Sequence, residues 1–471
     1  MKRYVCIHGH FYQPPRENPW TGRVDLQPTA APFPDWNHRI TAECYGPNTR
    51  AAILARDGSV AERLNNLAYI SFDFGPTLLR WLEAEHPRVH DDIVLADRMA
   101  VERTGHGCAM AQAYHHAILP LCSPRDRRTE VRWGIADFWR RFQRAPGGMW
   151  LPETAVSTST LEILAEEGIT FTLLAPRQAA QVRGIDAEDA QPWQPAGDLD
   201  CSRPYQVALP SGRTIVVFFY DGPTSQGVAF EGLLHDGAGF ARRLIQAGRP
   251  GGLVSIATDG ESYGHHHRHG EMALAFALKR LLAEPEVELT HYAAYLAEHP
   301  PSWEARLIEP SSWSCAHGVG RWSENCGCAI DPARSLKQTW RAPLRAALSW
   351  LRDRLDAHFV EHCGERDPWS LRDAWHEVGP IEDERLLSLL QMQNARLMMF
   401  TSCGWFFDDP GGLETVQILR YAWRALDLYE QTGGEAPLRD EFLDRLEGLR
   451  SREAATAREL VATRVESARR G

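Results

Sequence analysis

Long apolar runs are missing from this 471-residue sequence. Its densest patch, around residues 215–220, falls well short of the ~18 apolar residues a membrane span needs. Cysteine is sparse: 10 copies are ordinary usage, and no small disulfide scaffold is expected. The opening, MKRYVCIHGHFYQPP, has no apolar h-region, because His8 and His10 interrupt it. It reads as a first strand rather than a signal peptide, and a cytoplasmic location is the expectation. Basic residues are in deficit, with 51 Lys and Arg against 62 Asp and Glu and a net charge of -11. Such a surface repels phosphate backbones and anionic lipids, so nucleic-acid and membrane partners are not expected. Phosphate-cradling motifs are absent as well: there is no GxxxxGK[ST] and no GxGxxG after a strand, nor is there a GxSxG elbow. Kinase, nucleotidase, Rossmann and α/β-hydrolase readings weaken accordingly. The chain has no internal repeat and no low-complexity tract.

What remains is a globular composition, 44% hydrophobic and 24% charged, with a length that suits one large domain and one smaller one. The first 300 residues alternate strand-like and helix-like segments. Short β-branched or aromatic runs at 4–7, 69–72, 148–151, 170–174, 214–219 and 253–257 each meet a turn-forming residue. Helix-periodic stretches at 76–85, 159–166 and 271–282 lie between or after them. Alternation of this kind predicts parallel strands with helical crossovers, hence an α/β barrel or a doubly wound sheet. Beyond about residue 335 the pattern turns helical, with long periodic stretches at 340–359, 381–400 and 413–429. The tail at 437–471, rich in Arg, Glu and Ala, reads as a solvated helix pair. Two domains are expected, 1–320 as the barrel and 335–471 as the helical part.

Three segments carry chemistry. His8 and His10, two apart at the end of the first strand, share one face, with Gly9 leaving room for close approach. An HxH pair of this kind also holds metals in some barrel hydrolases, and two hydrogen-bonded polar side chains are the plain alternative. Trp150-Leu151-Pro152-Glu153 runs a strand into a carboxylate, where α/β barrels carry their catalytic groups. A helix-proximal acid answering the dipole is the competing reading. The third segment, 253–261, ends an apolar strand in Asp259, Gly260 and Glu261. Two strand-end carboxylates from distant segments suit paired nucleophile and acid/base work on a glycosidic bond.

Next to them, the run from Gly264 through His265 to His269 reads as a polar rim rather than a metal cage. Cys315, His317, Cys326 and Cys328 form C-x-H and C-x-C pairs instead of the CxxC spacing of zinc knuckles. Structural zinc there is the lesser reading, and no metal and no cofactor are expected. Aromatics gather around these segments, among them Trp150, Tyr263, Trp313, Trp322 and Trp405. Rings of this type cover the apolar faces of sugars, although most Trp side chains are core.

Taken together, these segments resemble glycoside hydrolase family 57. The opening from His8 to Pro14 is similar to that family's first motif, HxHQP, with Phe11 and Tyr12 inserted before Gln13. Residues 72–79 resemble its second segment, and Trp150-Leu151-Pro152-Glu153 the motif that carries its nucleophile. Thr258-Asp259-Gly260-Glu261 resembles the motif that carries its acid/base. The resemblance is strongest to a branch marked by HGHFYQPPRENPW, SFDFGPTLLRWLE, SWSCAHGVGRWSENCGC and TSCGWFFDD. It implies an α/β fold, a distorted (β/α)7 TIM-like barrel followed by a C-terminal helical domain, and a retaining enzyme on α-linked glucans or oligosaccharides. Glu153 would be the nucleophile and Asp259 the acid/base. His8, His10, Gln13, Trp150, Glu261, Tyr263, His265, Trp313, Trp322 and Trp405 would line the substrate site. Two further readings stand beside it: a metal-dependent hydrolase or deacetylase using His8, His10 and Asp259, and a non-catalytic carbohydrate-binding protein.

Overall fold

Seven parallel strands form the frame of the first 260 residues in the computed structural model, which describes residues 2–185, 192–333, 337–376, 381–435 and 437–470. They are β1 (Arg3–Phe11), β2 (Ser71–Phe74), β3 (Ala109–Gln112), β4 (Met149–Trp150), β5 (Phe171–Leu174), β6 (Thr214–Phe219) and β7 (Leu253–Asp259). Parallel pairing runs from β7 to β1 and on through β2 and β3 to β4. A bridge between Gly148 and Phe171 carries the order on to β5, which pairs in parallel with β6. The Asp221 N–H, just past β6, donates to the Ser255 carbonyl of β7 at 2.6 Å and closes the ring. This is a (β/α)7 barrel, followed by helices.

Six of the seven strands overlap the β-branched and aromatic runs that predicted them. The second is displaced by two residues, because Asn66–Tyr69 forms a turn of 3-10 helix held by the Asn65 side chain on the Leu67 N–H. The seventh, β3, has the sequence Ala-Met-Ala-Gln, which carries no strand signal of its own. It is a strand because β2 and β4 flank it and supply both ladders.

Crossover helices start at the caps their sequences provide. Ser157 accepts from the Thr160 N–H at the start of Thr158–Glu166, and Asp221 accepts from the Thr224 N–H at the start of Gly222–Phe230. Pro76 and Pro87 open Pro76–Glu85 and Pro87–Thr104, where a missing N–H is harmless. A second set of strands, including Pro204–Ala208, Trp303–Leu307 and Ala179–Gly184, extends outward from β6.

The chain divides into two compact units, and the division is not purely sequential. One comprises Met1–Gln13, Leu26–Gln112 and Phe138–Glu309; the other comprises Pro14–Asp25, Ala113–Asp137 and Pro310–Gly471. The second unit is helical, built on Arg341–His362, Glu384–Met398 and Leu413–Gln431. It buries an ion cluster in which Asp126 meets Arg372 at 3.2 Å and Arg396 at 2.6 Å. The tail is less solvated than its composition suggested: Phe442, Leu446, Leu449 and Val465 are buried. Among the described residues no helix is long and apolar enough to cross a membrane.

Candidate active site

The register of β1 against its neighbours brings the strand-end polar groups side by side. His10 pairs with Asp259 of β7 on one side and Asp73 of β2 on the other, and His8 pairs with Ala257 and Ser71. Both imidazoles are buried. His8 Nε2 is 3.0 Å from Asp73 Oδ1, His8 Nδ1 is 3.1 Å from Ser71 Oγ, and His10 Nδ1 is 2.8 Å from Asp73 Oδ2. The Trp150 indole stacks on both rings, with centroids 5.1 Å from His8 and 4.7 Å from His10.

Electrostatically the two histidines part company. Burial lowers the pKa of His8 in spite of the Asp73 carboxylate. Burial acts against the His10 charge as well, but the Asp73 carboxylate overrides it and lifts His10 to about 9. A cationic His10 beside a neutral His8 thus forms the floor of the barrel mouth.

Glu153 lies three residues past the end of β4, in the turn Pro152–Thr154, and is half-buried. Its backbone is left-handed, with φ +59°, and so is that of Thr154, with φ +50°. Two consecutive non-glycine residues in this region are strained by on the order of 1–3 kcal/mol each and persist only where their surroundings hold them. Gln178 supplies that hold. Its buried Oε1 accepts from Thr154 Oγ1 at 2.9 Å and from the Ala175 N–H at 2.8 Å, while Nε2 donates to the Thr154 carbonyl at 2.9 Å.

Asp259 ends β7 with its side chain exposed, whereas Glu261, two residues on, is buried. Glu261 Oε1 accepts from the Tyr45 hydroxyl at 2.5 Å and from the Tyr12 N–H at 3.2 Å. Burial dominates its titration and pushes it up to about 7, with the Asp259 charge adding to the effect. The turn that follows depends on Gly264, at φ +141°, where a Cβ would fall 2.3 Å from the Glu43 carbonyl oxygen.

The remaining residues singled out in the sequence fall in different places. Gln13 is half-buried, and its amide donates to the Tyr12 carbonyl. His265 Nδ1 lies 2.5 Å from Glu43 Oε2. Tyr263 is fully buried, within 3.4 Å of Thr258 Oγ1. Trp313, Trp322 and Trp405 belong to the helical unit. Trp322 and Trp405 are fully buried there, and the Trp405 indole N–H donates to the Arg341 carbonyl.

Asp73 was not singled out as a site residue, although it is a strand-end carboxylate like Glu153 and Asp259. The same signal, a strand followed by Gly-Pro, was available in Ser71–Gly75. Tyr45 and Gln178 gave no local signal, because only the fold brings them to the site. Cys315, His317, Cys326 and Cys328 come together in the fold in spite of their C-x-H and C-x-C spacing, their ligand atoms within 4.8 Å of one another. Among the described residues these four form the one group of His, Cys, Asp and Glu whose ligand atoms converge as a metal would require. The one-residue spacers are compensated by the turns between the pairs.

The profile of glycosyl hydrolase family 57 matches residues 25–306. The chain belongs to this family. A domain of unknown function, DUF3536, matches residues 336–379 and 373–469 in the helical part. Among solved structures, the family 57 chain is similar to a novel exo-type maltose-forming amylase from Pyrococcus sp. ST04. That likeness has 16% identity and a TM-score of 0.69 over 98% of this chain and 88% of the other. It is also similar to a family 57 branching enzyme from Thermococcus kodakaraensis, with 15% identity and a TM-score of 0.57 over 95% of each chain. Alpha-amylase 1 of Dictyoglomus thermophilum is 26% identical over 121 residues, which cover 26% of this chain and 17% of that protein.

Proposed function

We propose that this protein is a retaining enzyme acting on α-linked glucans or oligosaccharides, as a hydrolase or glucanotransferase. The observation that carries the reading is the turn at Glu153, a strand-end carboxylate held in a strained left-handed conformation inside a family 57 barrel. In the first step the Glu153 carboxylate attacks the anomeric carbon as the bond to the leaving oxygen breaks, and Asp259 protonates that oxygen. In the second, Asp259 takes a proton from water or from an acceptor sugar hydroxyl, whose oxygen displaces Glu153 from the anomeric carbon.

The cationic His10 beside neutral His8, both fixed on Asp73, suits hydrogen bonding to sugar hydroxyls next to the reacting carbon. His8 has both ring nitrogens engaged, by Ser71 and Asp73, which leaves it poorly suited to ligate a metal. A retaining mechanism needs the Glu153 and Asp259 carboxyl groups about 5–5.5 Å apart, against about 6.5–9.5 Å for an inverting one.

Incubation with a panel of α-glucans and malto-oligosaccharides tests the reading, with reducing ends, chain-length distribution and the anomeric configuration of the first product followed together. Products with retained α configuration are expected from the wild type and none from Glu153→Ala. Inversion of configuration, or unchanged turnover by the variant, overturns the assignment.

A further inference from the structure

Residues 310–333 of the helical unit carry a single turn of 3-10 helix, Gly320–Trp322. A stretch this long without regular structure is held in compact proteins by something other than a backbone ladder. Here it folds so that four ligand-type side chains meet. One ligand atom each from Cys315, His317, Cys326 and Cys328 lies within 4.8 Å of the other three. Cys315 Sγ is 3.9 Å from Cys326 Sγ and 3.8 Å from Cys328 Sγ, and Cys328 Sγ is 3.5 Å from His317 Nδ1.

These spacings decide between two chemistries. Disulfide sulfurs sit about 2.05 Å apart, and the three cysteines are free thiols. A tetrahedral zinc ion, with Zn–S of about 2.3 Å and Zn–N of about 2.0–2.1 Å, sets its ligands at S···S edges of about 3.8 Å and S···N edges of about 3.5 Å. The three separations above match those edges.

We propose that Cys315, His317, Cys326 and Cys328 form a structural Cys3His zinc site that cross-links the 310–333 segment. Four protein ligands complete the tetrahedron and leave no position for water or substrate, which is the mark of a structural rather than a catalytic ion. Binding of Zn²⁺ displaces three thiol protons to solvent and leaves a complex of net charge -1. Arg341, fully buried, donates Nη1 to the Cys328 carbonyl at 2.7 Å and supplies the countercharge. The backbone is shaped for the turn: Gly327 between the two cysteines has φ +82°. Gly318, after His317, has φ +74° with the Pro310 carbonyl oxygen 2.6 Å from where a Cβ would stand. Asp408 anchors the far side by accepting the Ile330 and Asp331 N–H groups.

The test uses the full-length protein purified without chelator. Elemental analysis should find one zinc per chain. After stripping with a chelator, titration with Co²⁺ should give tetrahedral ligand-field absorption with thiolate charge transfer, saturating at one cobalt per chain and bleached by Zn²⁺. The unfolding temperature should fall on stripping and recover with Zn²⁺. The Cys326→Ser/Cys328→Ser double variant should carry no zinc and give no cobalt band; should it not fold, the wild-type titration decides alone. Zinc-free wild-type protein without a cobalt band overturns the proposal. So does a disulfide within this segment, detected by mass, or zinc retained by the double variant.

Discussion

Asp73 Oδ2 lies 2.8 Å from His10 Nδ1 at the floor of the barrel mouth, with both side chains buried. The contact raises His10 to about 9 against the cost of burial. A histidine whose folded pKa exceeds its unfolded value of about 6.5 stabilises the fold fully below that unfolded value. That stability is lost as pH rises through about 9. Stability should therefore decline between neutral pH and pH 9, by on the order of 1–3 kcal/mol from this group. Asp73→Asn should flatten that slope in chemical-denaturation curves and weaken substrate binding. A variant that keeps the wild-type slope sinks the assignment of the pair.

Glu153→Ala should leave the fold intact, because a half-buried strand-end carboxylate contributes little to packing. Turnover should fall by at least roughly 10³-fold if the carboxylate forms the covalent intermediate. Chain-length analysis of α-glucan products, alongside circular dichroism of the variant, reads both quantities. Asp259→Ala should instead lose most on substrates with poor leaving groups, which depend on protonation. Near-wild-type turnover in Glu153→Ala ends the nucleophile assignment.

Legibility in the sequence followed the strength of local signals. Six barrel strands announced themselves through β-branched and aromatic runs, and Thr214–Phe219 does so to the residue. Ala109–Gln112 could not, since its strand character comes from two neighbours supplied by the fold. Glu153 and Asp259 stood out because a strand-end carboxylate is a local pattern. Tyr45 and Gln178 reach the site from 216 and 24 positions away from their partners, a distance that no short motif spans. The helical unit's recruitment of Pro14–Asp25 and Ala113–Asp137 was invisible for the same reason. At the cysteine cluster the one-residue spacers carry no CxxC signal, and only the fold brings the four ligand-type side chains within 4.8 Å of one another.

Glu261 supplies a second pH signature, of the same sign in a lower window. Its folded pKa of about 7 lies above the ordinary 4.5, so the folded chain binds the proton more tightly than the unfolded one. Stability is then greatest below pH 4.5 and is lost as pH rises through about 7, by on the order of 1–3 kcal/mol. Glu261→Gln keeps an oxygen for the Tyr45 hydroxyl and the Tyr12 N–H while removing the titration. Denaturation midpoints between pH 4.5 and 7 should become flatter in this variant. An unchanged profile removes Glu261 as the source.

The grip of Gln178 on Thr154 ties backbone strain to the reading of Glu153. Gln178→Ala would strip a buried partner from the Thr154 carbonyl and the Ala175 N–H. Each orphaned group costs about 1–3 kcal/mol. The left-handed turn would then relax toward ordinary backbone and carry Glu153 away from its attacking position. The expected result is a lowered unfolding temperature together with a kcat reduced roughly 10-fold or more, with KM nearly unchanged. Gln178→Glu keeps the acceptor for Thr154 Oγ1 and Ala175 but loses the donor to the Thr154 carbonyl, so it should fall between wild type and alanine. A purely structural role would move stability alone. Wild-type kcat in the alanine variant, measured well below its unfolding temperature, would therefore separate Gln178 from catalysis.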